Sequence, residues 1–171
     1  MVILGVDPGV AHTGVVVLDG NRAVFNTTLV PSTEGRLTIE DVLRYVLPPL
    51  RQIVRRFEPE AAAVEQVAWY GRARRITLPL SHIAGGIAGA LWAMGVPVYF
   101  LVANMKTSKL RIRKSWDEHQ KDAALLAKVV QNYRTASNAG DLLYLKKHSA
   151  VGKRIISAPE PAPTFPTKLV R

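Results

Sequence analysis

From Ile76 to Asn104 the chain carries no Asp, Glu, Lys or Arg, and a charge-free stretch of that length belongs either in a bilayer or in a packed core. Gly95, Val96 and Pro97 divide it into a small-residue-rich run, Ile83 to Met94, and a short apolar run, Pro97 to Val102. The first reads as a buried helix and the second as a buried strand, so no membrane span and no membrane partner are expected. A buried helix followed by a buried strand points to an α/β core.

The preceding sequence supplies the rest of that core. Val2 to Val6 is an apolar run ended by Asp7-Pro8-Gly9, and Thr13 to Leu18 is a β-branched run ended by Asp19-Gly20-Asn21. With a looser alternation from Ala23 to Val30, these predict three strands in an antiparallel meander. Between Thr38 and Phe57 the positions Ile39, Val42, Leu43, Val46, Leu47, Leu50, Ile53 and Val54 recur at three and four, the spacing of one helical face. Pro48-Pro49 should kink or interrupt that helix. Glu60 to Val67 reads as a strand broken by one charge, and Trp116 to Gln131 resumes helical spacing. The β-α-β-α-β order argues for parallel pairing in the second half.

A chain of 171 residues holds one well-buried core and is too short for two ordinary domains. Residues 1–152 are therefore expected to form the domain and 153–171 a Pro-rich extended tail. Twenty-three Lys and Arg against thirteen Asp and Glu give a net charge of +10, which favours a polyanionic partner, nucleic acid first. The absence of cysteine rules out disulfides and thiolate chemistry and suits a reducing compartment. Met1 to Val6 run straight into a strand with no basic segment ahead of an apolar core, so secretion is not expected and a cytoplasmic location is.

Three carboxylates stand out against this frame. Asp7 ends the first strand, although Asp before Pro-Gly also opens turns by accepting from nearby backbone N–H groups. Glu65 lies among Ala61, Ala62, Ala63, Val64 and Val67, where an acid is costly to bury without a partner; an edge-strand salt bridge is the alternative. Asp122 sits beside Ala123 and Ala124 on a face expected to turn inward, with His119 three residues earlier, and a surface helix charge is the alternative there. Carboxylates at the ends of two neighbouring strands and on a packed helix can converge on one pocket. Hard oxygen donors in that number ask for Mg²⁺ or Mn²⁺. Two such ions about 3.5–4 Å apart would activate water and stabilise a leaving oxygen at phosphorus.

The run Ile3-Leu4-Gly5-Val6-Asp7-Pro8-Gly9, followed by His12-Thr13-Gly14, resembles the opening of the RuvC Holliday junction resolvases. Val64-Glu65-Gln66-Val67 resembles their second acidic motif, and His119-x-x-Asp122-Ala123 with Leu126-Ala127 resembles their closing helix. The matches fall in the right order over roughly residues 2 to 130. The resemblance implies an RNase H-like fold, with a central mixed five-stranded sheet flanked by helices. It also implies a homodimer that makes paired nicks across a four-way DNA junction, in a bacterial or phage-infected cell. Asp7, Glu65, His119 and Asp122 become the catalytic, metal-binding set, with Asp117 and Glu118 as adjacent rivals of His119. Mg²⁺ is the implied cofactor, two ions per site, with Mn²⁺ able to replace it.

The stretch Asn104 to Ser115 is shorter than the insert the family usually carries there, and Ala68 stands where the family tends to place an aromatic, with Trp69 and Tyr70 next. Either aromatic could stack on an unpaired base or pack under its loop. Arg72, Arg74 and Arg75 after the second acid, and Lys106, Lys109, Arg111, Arg113 and Lys114 before the last helix, are expected to contact DNA phosphates; a solvated charged face is the alternative. An RNase H-like nuclease for other branched DNA or RNA–DNA hybrids would use the same acids, and a DNA-binding relative without cleavage would not need them. Sugar-kinase and actin-type ATPases also open on a strand, Asp and a glycine turn, but need two such domains.

Overall fold

The computed structural model describes residues 1–32, 37–66, 74–102, 110 and 114–138, with the side chains of 74–77 and 136–138 left aside. Among them the chain runs β1 (Val2–Asp7), β2 (Thr13–Asp19), β3 (Arg22–Leu29), α1 (Ile39–Phe57), β4 (Ala61–Gln66), α2 (Arg74–Ala93), β5 (Val98–Val102) and α3 (Glu118–Asn138). The strands form one mixed sheet in the order β3-β2-β1-β4-β5. β1, β2 and β3 are antiparallel neighbours, while β4 pairs in parallel with both β1 and β5. Meander and parallel half are therefore both as expected. The β2–β3 hairpin closes through Gly20 and Asn21, with Gly20 at φ +56°, the left-handed conformation that a two-residue loop asks of its first position.

Side-chain alternation sends the strands' two faces into separate cores. Leu4 and Val6 of β1, Val15 and Val17 of β2, and Ala62 and Val64 of β4 face α1 and α2, burying Val42, Val46, Leu50, Ile53, Ile83, Ile87 and Leu91. Ile3, Val16, Leu18, Ala61 and Ala63 face α3, where Ala123, Ala124, Leu126, Ala127 and Val130 meet them. The parity that puts Ile3 on the α3 face puts Gly5 and Asp7 there too, and Ala61 and Ala63 are followed by Glu65.

Three boundaries differ from the sequence reading. α1 continues through Pro48 and Pro49. Each proline costs about 3 kcal/mol inside a helix, but Val42, Val46, Leu50, Ile53 and Val54 are buried on both sides of the pair and contribute roughly 1.5–3 kcal/mol each, so packing wins. α2 starts at Arg74 rather than Ile83, with Pro79 inside it; so early in the helix the ring removes one bond, to the Arg75 carbonyl. α3 starts at Glu118 rather than Trp116 and runs past Gln131 to Asn138. Trp116 is buried ahead of it against the α3-side core, and Asp117 serves as the cap. No helix among the described residues is long and apolar enough to cross a membrane.

Candidate metal centre

β1 and β4 run parallel, so their C-terminal ends share one edge of the sheet. Their register carries Gly5 beside Ala63 and Val6 beside Val64, leaving Asp7 and Glu65 next in line on the α3 face. β2 returns antiparallel and sets Gly14 opposite Asp7. The third acid arrives on α3, and two glycines determine how closely. A Cβ on Gly5 would lie 1.9 Å from the Ala123 carbonyl oxygen, and one on Gly14 would lie 2.2 Å from that of His119. Helix backbone therefore rests directly on strand backbone, a contact only glycine permits.

With α3 seated in this way, Asp7, Glu65 and Asp122 each offer a carboxylate oxygen within 4.8 Å of the others. Asp7 is buried, and Glu65 and Asp122 are partly so. Three negative charges at that separation repel by about 3 kcal/mol per pair at an effective dielectric near 20. A divalent cation relieves that repulsion, and carboxylate oxygens are the donors Mg²⁺ and Mn²⁺ prefer. The donor set thus fits a hard metal ion, and the convergence expected from the sequence is present.

His119 reaches the same place from the first turn of α3. Its Nδ1 lies 2.7 Å from Asp7 Oδ2. An ionised carboxylate only accepts, so Nδ1–H donates and Nε2 is left for another partner. His119 joins the carboxylates through Asp7. Its ring is in turn stacked on that of His12, with centroids 5.5 Å apart and planes at 11°. The sequence reading assigned His12 no role.

The two rivals of His119 have other work. Asp117 caps α3: its Oδ1 accepts from the Gln120 N–H at 2.8 Å, its carbonyl accepts from Lys121 N–H, and its Oδ2 accepts from the Thr28 hydroxyl. Partial burial raises the Asp117 carboxyl pKa, but the hydrogen bonds from Thr28 and Gln120, helped by His119, hold it below its ordinary value. Glu118 is exposed and pairs with Lys121. A polar residue immediately before the first helical position is the cap signal that separates Asp117 from the site residues.

The candidate DNA contacts are less fully placed. Trp69, Tyr70, Arg72, Lys106, Lys109, Arg111 and Arg113 lie outside the described residues, as does the Pro-rich segment 153–171. Arg74 and Arg75 open α2 without a described side chain, and Lys114 is exposed in the turn before α3.

Comparison with known proteins follows the same residues. The family model described as crossover junction endodeoxyribonuclease RuvC matches residues 3–135. The RuvC of Chlorobaculum parvum is 31% identical over 102 residues, 57% of this chain and 53% of that protein. The RuvC of Thermus thermophilus is 31% identical over 104 residues, 58% of this chain and 62% of that protein, and the RuvC of Desulforamulus reducens is 34% identical over 103 residues, 58% and 63%. The chain thus spans between about half and two thirds of the length of these relatives. Among solved structures, T. thermophilus RuvC in complex with Holliday junction substrate superposes with a TM-score of 0.66 at 23% identity, covering 80% of this chain and 96% of that one. T. thermophilus RuvC without a named substrate matches equally well, with a TM-score of 0.66 at 21% identity. That likeness bears out the expected RNase H-like fold, and the family match bears out the resemblance read from the three motifs. The chain belongs to the crossover junction endodeoxyribonuclease RuvC family.

Proposed function

We propose that this protein is a metal-dependent endonuclease that resolves four-way DNA junctions by paired phosphodiester cleavage. The observation that carries the reading is the convergence of Asp7, Glu65 and Asp122 within 4.8 Å, at the strand ends where the RuvC family motifs fall. Asp7, Glu65 and Asp122 hold Mg²⁺, two ions per site, with Mn²⁺ as a substitute. Bound there, the metal supplies Lewis-acid stabilisation of phosphate oxygens and a more acidic attacking water.

The chain's own groups do the remainder. His119 orients the Asp7 carboxylate through Nδ1–H and keeps Nε2 available to metal or water. Arg72, Arg74, Arg75, Lys106, Lys109, Arg111, Arg113 and Lys114 hold the DNA backbone, and Trp69 or Tyr70 stacks on an unpaired base. The net charge of +10 supports a polyanionic substrate. Paired nicks need two sites, hence a homodimer, and the outward face of α2 suits close approach by a second copy. Leu78 and Trp92 are exposed there, and Gly85 and Gly89 have open space beside them. Action on chromosomal or phage DNA places the protein in the cytoplasm.

The test is cleavage of a labelled four-way junction beside linear duplex, flap and RNA–DNA hybrid, with Mg²⁺, with EDTA, and with Asp7→Asn. Symmetrical Mg²⁺-dependent nicks on the junction are expected, slowed on the order of 10³-fold, about 4 kcal/mol of barrier, in the variant. Preferential cutting of flaps or hybrids would overturn the substrate but keep the site. Binding without cutting in any metal would overturn the enzyme.

A further inference from the structure

We propose that His12 is a positioning residue of this centre, its imidazole stacked on His119 so that the His119 ring keeps the plane in which Nδ1 meets Asp7. The role in cleavage rests on the reading above; the ring geometry does not. His12 belongs to the turn between β1 and β2, and that turn is closed on itself. Gly9 N–H donates to Thr13 Oγ1 at 3.4 Å, and the Thr13 hydroxyl donates back to the Gly9 carbonyl at 3.3 Å. A Cβ on Gly9 would lie 2.0 Å from the His12 carbonyl oxygen, so the backbone that carries His12 is pressed against the start of the same turn. His12 is exposed and takes no part in either core. Its imidazole lies on the His119 ring, nearly parallel at 5.5 Å, inside the range of favourable offset stacks.

His119 needs such a support. Its side chain is 41% exposed, and the χ2 torsion of histidine is broad, so an unsupported ring tilts out of the plane in which Nδ1 meets Asp7. The hydrogen bond to Asp7 opposes that tilt; a flat neighbour on the ring face adds a second restraint by limiting the plane the ring can adopt. The sequence Gly9-x-x-His12-Thr13 thus links a strand turn to the orientation of a side chain more than a hundred positions later. Groups that orient metal-site side chains commonly affect metal affinity without touching the ion.

The test compares wild type with His12→Ala and His12→Phe, which keeps a flat ring and removes both nitrogens; His119→Ala identifies the His119 signals. Long-range ¹H–¹⁵N spectra of the metal-free protein at alkaline pH should show His119 as a single Nδ1–H tautomer in wild type and His12→Phe, and averaged in His12→Ala. The Mn²⁺ dissociation constant, measured without DNA, should rise about 10-fold in His12→Ala and stay within about twofold in His12→Phe. An unchanged His119 spectrum and Mn²⁺ affinity in His12→Ala would overturn the proposal. So would a His12→Phe protein as impaired as His12→Ala, since that would trace the effect to a ring nitrogen. If wild type itself binds no Mn²⁺, the metal reading fails, while the His119 spectra still decide whether His12 orients the ring.

Discussion

The α1/α2 face of the sheet and the α3 face are built with different spacers. On the first, branched side chains such as Leu4, Val6, Val15 and Val17 stand between strands and helices. On the second, Gly5 and Gly14 let the backbone of α3 touch the strands, with alanines filling in around them. A side-chain layer can repack when one member changes, whereas a backbone contact can only separate. All four proposed site residues lie on the face without that slack: Asp7 and Glu65 point to it, and His119 and Asp122 come from α3. The difference teaches where precision is needed. One face supplies stability, and the other sets the distance between three acids.

Single substitutions can break or sharpen that contrast. The largest effect should come from Gly5→Ala, whose new methyl would sit 1.9 Å from the Ala123 carbonyl. A loss of about 3 kcal/mol in urea unfolding, together with loss of Mn²⁺ binding, is expected, and normal stability and binding would erase the distinction between the faces. On the other side, Ile87→Val should cost about 1 kcal/mol and leave Mn²⁺ affinity as in wild type; an equal loss of affinity would mean that both faces control the site.

A smaller and pH-dependent effect belongs to Asp117. Removing its cap by Asp117→Ala should cost about 1 kcal/mol near neutral pH. Because the folded carboxyl sits below its ordinary value, that stability is fully present above the unfolded value of about 3.9 and is lost as pH falls through the folded one. Unfolding curves of the two proteins should therefore draw together below about pH 4. A gap that persists unchanged in strong acid would assign the effect to something other than the carboxylate. The smallest change is expected on α1, where Glu40 pairs with Arg44 at 2.7 Å with both side chains largely exposed. Glu40→Gln should shift stability by no more than about 0.5 kcal/mol, and a larger loss would show a surface of α1 that packing on the sheet does not explain.

Much of this was legible in the sequence because it is written in periodicities. The two apolar runs ending at Asp7 and Asp19, the α1 stripe and the break at Gly95-Val96-Pro97 located strands and helices, and the order of acids along the chain pointed to one pocket. The discrepancies came from long-range burial overriding local chemistry: Pro48-Pro49 was expected to kink or interrupt its helix and the later buried helix to begin at Ile83, yet α1 passes through both prolines and α2 begins at Arg74, with Pro79 inside it. Gly5 and Gly14 were seen as parts of a motif and not as spacers, although a clue was present. Same-parity positions on β1 read Ile, Gly, Asp and those on β4 read Ala, Ala, Glu, small residues leading to an acid on one face. His12 carried no signal of its own, since its partner lies 107 positions away and only the fold brings the two rings together.

The most direct test of the account is a calorimetric Mn²⁺ titration of wild type, Asp7→Asn, Glu65→Gln and Asp122→Asn, each checked for folding by its thermal transition. Binding in wild type and its loss in every folded variant is the result expected of one shared site. Binding that survives all three substitutions, or is absent from wild type, would mean that the three carboxylates do not form a metal centre.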